Sequence, residues 1–297
     1  MPAKPIRTSR ASPTALRQAE ESFVRACLDP SHPARPYAAR YLSATRLNTL
    51  CDQVLNNQTQ QKASPTRKAL ISALIAASIV EPICQGDLDS PRVFWLKIRG
   101  GHREHHNPLE ILASAHADAV ISHHTCLAHH NLTTARPVAW LVSVPPSAQV
   151  ASKTLGVLDE LQLVGKQLSP HLRFGTVKVW TDADESVTVF DVERVMIAAL
   201  DTPQLHGGPS AVVEAWETGA DIVRQDVLVE YLERLNSAML WRRVGAMAER
   251  LGLANVLAAC ETARAGMTDK AMIDNTLIVG AGVVGFNEQW KLGTPWA

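Results

Sequence analysis

The sequence predicts a mixed α/β protein with a small helical module at its front and a larger α/β domain behind it. Two amphipathic helices followed by an apolar strand occupy residues 45–98. Residues 119–132 read as a short strand that runs directly into a short helix, and further strands and helices follow from residue 138. A chain of 297 residues with 46% apolar content can bury a sizeable core and has room for two domains.

Before these elements, the first forty residues contain six prolines around a single helix candidate. That helix runs from Thr14 to Cys27 and places Leu16, Phe23 and Val24 near one face. We therefore expect residues 1–40 to form a loose arm with one anchoring helix.

Two helices and a β-ribbon are predicted next. Apolar residues from Leu47 to Leu55 follow the spacing of an amphipathic helix. A second helix is expected to begin with Ser64 as N-cap and Pro65 at its first position. After a turn at residues 85–91, Val93 to Ile98 reads as a strand. This order is typical of a winged helix-turn-helix, which we assign to residues 41–107.

In that geometry the start of the second helix enters the major groove of DNA, and the wing holds the phosphate backbone. The charge distribution agrees, because residues 1–108 hold 15 Lys and Arg against 8 Asp and Glu, whereas residues 109–297 hold 14 against 21. Solvated basic faces are also common, so an ordinary solubilising surface stays open as an alternative. The candidate DNA-contacting residues are Lys62, Ser64, Thr66, Arg67, Lys68, Arg92, Lys97 and Arg99.

Eight of the eleven histidines lie between His102 and His130, which raises the hypothesis of a metal site. Neither an H-E-x-x-H motif nor a cysteine pair accompanies them. The pairs at residues 123–124 and 129–130 do not share a helical face at i, i+4 spacing. We therefore favour packing or surface histidines and expect no cofactor, with a histidine-rich, metal-dependent enzyme as an alternative.

Other catalytic and targeting patterns are weak. Gly280, Gly282 and Gly285 match G-x-G-x-x-G, but the sequence that follows leaves no room for a βαβ unit, so we expect a glycine-rich strand or turn. Five widely spaced cysteines without a C-x-x-C pair fit a reducing cytosol. No run approaches the roughly 20 apolar residues of a membrane span. The sequence favours a cytoplasmic protein that is not an enzyme.

The second half is predicted to contain strands at 138–144, 176–180 and 187–190, followed by helices at 192–200, 209–219, 224–236, 239–251 and 255–264. Asp191 is the expected N-cap of the first of these helices, and Gly252 and Gly266 occupy C-cap positions. The charged residues within the helices are expected to form internal ion pairs rather than a catalytic site. They are Glu193, Arg194, Arg242 and Arg243.

Four segments in a fixed order resemble the AbiEi family. They are A-V-I-S-H-H-T-C-L-A-H-H-N-L at 119–132, V-F-D-V-E-R at 189–194, H-G-G at 206–208 and W-R-R-V-G at 241–245. The resemblance covers roughly residues 47–296, and Asn131 stands where the family has a glycine, an exchange that preserves a left-handed backbone. The motif residues, to which we assign structural roles, are Ser122, His130, Glu193, Arg194, Gly207, Gly208, Arg242 and Arg243.

The resemblance implies an antitoxin and transcriptional autorepressor of a type IV toxin–antitoxin, or abortive-infection, operon. The winged helix would bind promoter inverted repeats, with a homodimer on the DNA. Residues 108–297 would counter a nucleotidyltransferase-like toxin, with or without direct contact. The predicted wing lacks the basic, glycine-containing pattern of the family. A protein-interaction module that does not bind DNA therefore stays open as an alternative.

Overall fold

A computed structural model describes residues 12–28, 40–57, 65–84, 93–99, 107–115, 118–146, 157–158, 161–181, 186–268 and 275–297. The protein is a mixed α/β protein, as the sequence predicts. The front part contains α1 (Pro13–Leu28), β1 (Tyr41–Ser43), α2 (Ala44–Asn56), α3 (Arg67–Ala76), β2 (Val80–Cys84) and β3 (Val93–Leu96).

The rest of the chain contributes seven further helices and nine further strands among the described residues. They are α4 (Pro108–Ala115), β4 (Val120–Ile121), α5 (His123–His129), β5 (Ala139–Val144), β6 (Val157–Leu158), β7 (Leu161–Gln167), β8 (Thr176–Trp180), β9 (Ser186–Phe190), α6 (Val192–Asp201), α7 (Pro209–Gly219), α8 (Gln225–Leu235), α9 (Ala238–Leu251), α10 (Ala254–Ala265), β10 (Asn275–Thr276), β11 (Gly285–Asn287) and β12 (Leu292–Thr294). None of the helices in the described part of the chain has the length and apolar character needed to cross a membrane.

The front sheet is antiparallel with the order β1-β3-β2, and it is covered on both faces. Side chains alternate along each strand. Leu42 and Phe94 therefore join a small core beneath α1, α2 and α3, whereas Tyr41 and Trp95 join the large core of the rest of the chain. A bidentate ion pair between Arg40 and Glu110, at 2.9 and 3.1 Å, adds a polar link between β1 and α4.

Helix α1 is part of the small core. Ala19, Phe23, Ala26 and Cys27 recur on one face at helical spacing and are fully buried against α2 and α3. The helix lies where the sequence predicts it and is packed into this core. The remainder of the predicted arm, residues 1–11 and 29–39, lies outside the described residues.

Helix α3 begins later than the sequence predicts. Its N-cap is Thr66, whose hydroxyl accepts a hydrogen bond from the Ala69 N–H at 3.2 Å. Pro65 is buried and lies outside the helix, and Ser64 lies outside the described residues. Pro65 and Leu70 occupy the two positions of a hydrophobic staple, and both are buried. The burial of Pro65 explains why Thr66 rather than Ser64 is the N-cap.

The large sheet has the order β6-β7-β5-β4-β9-β8 and mixes parallel with antiparallel pairs. The predicted strand and helix at 119–132 are confirmed as β4 and α5. The strands predicted at 138–144, 176–180 and 187–190 and the five helices predicted after them lie within two residues of their predicted bounds, whereas the sequence pattern did not predict β6 and β7. Asp191 caps α6 by accepting the Arg194 N–H at 2.9 Å, and Gly252 ends α9 in the left-handed conformation.

The C-terminal sheet has the order β10-β12-β11. Residues 277–284, which contain Gly280 and Gly282, form turns and bends between β10 and β11, and no helix follows Gly280 in this described segment. The expected glycine-rich turn is therefore confirmed. Trp290, between β11 and β12, is fully buried against α9.

Candidate nucleic-acid interface

The first turn of α3 presents a short polar surface to solvent. Thr66, Arg67 and Lys68 are all exposed, whereas Leu70 and Leu74, farther along the helix, are fully buried in the small core. Backbone N–H groups at a helix start already favour anions, and two cationic side chains add to that preference. The surface therefore has the chemistry needed to contact phosphates and base edges.

Arg67 is held by a carboxylate on the preceding helix. Its Nη1 lies 2.8 Å from Oδ2 of Asp52 on α2, and both side chains are about half exposed. This ion pair attaches the start of α3 to α2. The sequence does not indicate Asp52 as a partner, because no local pattern shows which residue of α2 faces a residue beyond the connecting segment.

The structure describes some of the residues that are predicted to form the wing. The predicted strand ends at Leu96, and Lys97–Arg99 form a 3-10 turn in which the Lys97 N–H donates to the Ile79 carbonyl at 3.0 Å. Lys97 Nζ lies 2.7 Å from Glu81 Oε2 and 5.4 Å from the Trp95 ring centre. All four residues of β3 are buried, so this central strand cannot itself touch DNA. Lys62, Ser64, Arg92 and the Arg99 side chain lie outside the described part of the chain.

Two histidines meet in a buried cluster beside α5. Ser122 Oγ lies 2.6 Å from His123 Nδ1 and receives a hydrogen bond from Ser143 Oγ at 2.9 Å. The rings of His123 and His206 are 5.2 Å apart, and His206 Nδ1 donates to the Thr202 carbonyl at 2.8 Å. Burial lowers the pKa of His123 to about 3. These histidines act in packing. Within the described ranges no three His, Cys, Asp or Glu side chains are arranged to hold a metal ion.

His130 connects the strand-helix element to the end of β9. Its Nε2 donates to the Phe190 carbonyl at 2.7 Å, and Cys126 Sγ contacts the same oxygen at 3.2 Å. Asn131 follows with a φ of 56°, the left-handed conformation that the sequence predicts. This motif histidine therefore positions the backbone just before α6.

The predicted internal ion pair is confirmed for Glu193. Glu193 Oε2 pairs with Arg224 Nη2 at 2.7 Å, and although burial opposes ionisation, the hydrogen bonds from Arg224 hold the pKa of Glu193 below its usual value. The guanidinium of Arg194 lies 5.1 Å from the ring centres of both Phe174 and Phe190. Its role is to stack on aromatic rings.

Arg242 and Arg243 both donate hydrogen bonds to backbone carbonyls. Arg242 donates to the Trp290 carbonyl at 2.8 Å, and Arg243 donates to the Leu200 carbonyl at 2.8 Å. Carbonyls in the last turn of a helix, such as that of Leu200, have no partner within the helix. Arg243 supplies such a partner for the Leu200 carbonyl at the end of α6.

Gly207 and Gly208 have φ values of 88° and 87° and lead into α7. A Cβ on Gly207 would lie 3.0 Å from the buried His124 ring. Left-handed backbone and close packing both require glycine here. The described motif residues thus serve the scaffold, and the candidate interface remains the start of α3 with the ends of the β-ribbon.

His206 is expected to reduce stability in mild acid. Burial lowers the pKa of its imidazole from 6.5 to about 4, against the opposing effect of its hydrogen bond to Thr202. Between these values the unfolded chain binds a proton that the folded protein does not, so this stability is full above pH 6.5 and is lost as the pH falls. The free energy of unfolding should fall by about 2 kcal/mol from this residue between pH 7 and pH 5.

Urea unfolding of the parent and of His206→Asn at both pH values measures this contribution. The variant should lose about 2 kcal/mol less than the parent over the same interval. An identical loss in the two proteins would show that other groups cause the acid sensitivity.

Comparison with known proteins gives information on the fold and not on the function. No protein-family model matches the chain, and no curated protein matches it. Among solved structures, the chain is similar to the crystal structure of the RV2827C protein from Mycobacterium tuberculosis, with a TM-score of 0.54 and 11% sequence identity. The match covers 99% of this chain and 95% of that one. At this identity the similarity shows a common fold and carries no information on function.

Proposed function

We propose that this protein is a DNA-binding antitoxin of the AbiEi kind, which represses its own operon through residues 41–107. The observation that carries the proposal is the exposed first turn of α3, where Arg67 and Lys68 project beside a three-stranded antiparallel sheet. The order α1, β1, α2, α3, β2, β3 supports a winged helix-turn-helix, with α3 as the helix that enters the major groove.

The chemistry of the surface supports DNA over a small-molecule ligand. Arginine and lysine at a helix start bind phosphates and guanine edges, and the exposed Ser72 and Ile75 farther along α3 add a hydroxyl and an apolar group for base contacts. A protein that recognises inverted repeats would bind as a homodimer, with one α3 in each half-site.

The C-terminal part, residues 108–297, is proposed to counter a nucleotidyltransferase-like toxin encoded in the same operon. This part has more acidic than basic residues, which suits a basic partner. The proposed role does not depend on direct contact with the toxin. The proposed role is cytoplasmic and not enzymatic. In support, Glu193, Arg194, Arg242 and Arg243 are all engaged in interactions that hold the scaffold together.

A second candidate is a protein-interaction module that does not bind DNA. The observation in its favour is that Arg67 and Lys97 each already have a carboxylate partner, Asp52 and Glu81. These acids reduce the positive potential of the surface and would disfavour phosphates.

The two candidate functions predict different results in an electrophoretic mobility shift assay with the DNA immediately upstream of the protein's own reading frame. A DNA-binding regulator should shift this fragment in preference to scrambled DNA. The affinity should fall by at least about a hundredfold between 50 and 200 mM salt, because bound phosphates release counterions. No shift at micromolar protein would favour the interaction module, and capture of the co-encoded toxin by the purified protein would then test it.

A further inference from the structure

The carboxylate beside Arg67 stands on the surface that is proposed to meet DNA. Asp52 Oδ2 lies 2.8 Å from Nη1 of Arg67, and the two side chains are 47% and 49% exposed. An ion pair this exposed contributes between 0 and about 1 kcal/mol to folding. A negative charge at such a place also repels phosphates. The contribution of this ion pair to folding stability therefore does not account for Asp52. The negative charge of Asp52 would also weaken non-specific binding to DNA.

We propose that Asp52 is a positioning residue that presents the Arg67 guanidinium to a guanine in the major groove. This inference rests on the proposed function. Arg67 is the first residue of α3, and the N-terminal residues of a recognition helix are those that reach base edges. A guanidinium has five N–H donors in a fixed plane. The bond to Asp52 uses an N–H of Nη1 and leaves donors for the O6 and N7 acceptors of guanine.

The benefit of this arrangement is preorganisation. A free arginine side chain samples many rotamers, and binding a base requires that it be held in one of them. The bond to Asp52 favours one arrangement of Arg67 before DNA arrives. The expected effect is a larger difference between specific and non-specific binding, because Asp52 improves contact with the correct base and weakens contact with phosphates elsewhere.

A second ion pair, between β2 and the turn after β3, provides a matched control. Lys97 pairs with Glu81 at 2.7 Å, with side chains that are about a third exposed. A lysine is a flexible point charge without the planar fork that matches guanine, so Lys97 is assigned to the phosphate backbone. Glu81→Gln and Asp52→Asn each remove one negative charge from residues 41–107. Only Asp52→Asn should change which base is preferred.

The test is selection of binding sites from a random-sequence duplex library with the full-length parent, Asp52→Asn, Glu81→Gln and Arg67→Lys. The parent should select a motif with a guanine at one position of each half-site. Asp52→Asn and Arg67→Lys should lose about tenfold in preference for that guanine and keep the other positions. Glu81→Gln should keep the whole motif and bind all sequences more tightly. Equal thermal unfolding midpoints would show that the four proteins are comparably folded.

The outcomes separate the inference from the function on which it rests. If Asp52→Asn selects the same motif with the same guanine preference, the positioning role is wrong even though the protein binds DNA specifically. The same conclusion follows if Asp52→Asn and Glu81→Gln both raise affinity for all sequences without changing the motif, since the carboxylates then only mask charge. If the parent selects no motif at all, the proposed function fails and this inference fails with it.

Discussion

Reversing both charges at the start of α3, with Arg67→Glu and Lys68→Glu, is expected to abolish specific binding to promoter DNA. The two side chains are exposed on the first turn and would face the phosphates and base edges of the major groove. The change replaces two attractive charges by two repulsive ones, and the first new carboxylate would also lie beside Asp52. A loss of at least about a thousandfold in affinity is expected at low salt. Fluorescence anisotropy with labelled promoter DNA measures it.

A matched control reverses two charges on another face of the same module. Arg17 and Arg25 are exposed on α1, so Arg17→Glu with Arg25→Glu changes the net charge by the same amount. This control should retain promoter binding to within about tenfold, since long-range repulsion between exposed charges is screened by salt. Unchanged binding by the α3 variant, or equal losses in the two variants, would show that α3 is not the recognition helix.

Replacing Trp290 by alanine is expected to cause a large loss of stability, about 3–5 kcal/mol. The side chain is fully buried, and its indole N–H donates to Glu249 Oε2 at 3.1 Å. Gly245 on α9 lets the ring lie close, because a Cβ there would be 2.4 Å from it. The Trp290 carbonyl also accepts a hydrogen bond from the Arg242 guanidinium. Loss of the ring leaves a cavity where the C-terminal sheet meets α9, and equilibrium unfolding in urea measures the change.

Trp180→Ala serves as the control for that measurement. Trp180 is 72% exposed on the edge strand β8, so its removal should change the free energy of unfolding by no more than about 0.5 kcal/mol. If Trp290→Ala were as stable as Trp180→Ala, the C-terminal sheet would not be packed on α9 as described. Gly245→Ala provides a second check, because the added methyl should destabilise the same contact by about 1–3 kcal/mol.

The elements that sequence reasoning placed well are those whose determinants are local. Helix α6 begins after Asp191 because that carboxylate accepts the N–H of Arg194, three residues on. Strand β8 coincides with its prediction, and α7 follows two glycines of positive φ. The start of α3 was misplaced because two cap residues, Ser64 and Thr66, lie within one turn. Burial of Pro65 distinguishes them, and burial depends on the rest of the fold.

At the candidate interface too, local features could be predicted from the sequence and distant partners could not. Composition and the apolar spacing of α3 indicate that Arg67 and Lys68 are exposed, and the structure agrees. The partners of the interface residues were not predictable, because Asp52 and Glu81 carry no local sign of the cations that they bind. The same holds for the carbonyls of Trp290 and Leu200, to which Arg242 and Arg243 donate.

By itself the sequence determined the mixed α/β class, the position of most helices and of strands β3, β4, β5, β8 and β9, and the left-handed conformation of Asn131, since periodicity, capping and turn chemistry act over a few residues. Only the tertiary structure decided which distant groups meet. Asp52 and Arg67 are 15 residues apart, Glu193 and Arg224 are 31 apart, and His130 and the Phe190 carbonyl are 60 apart. Such contacts follow from the packing of whole elements, and many alternative partners have the same chemistry.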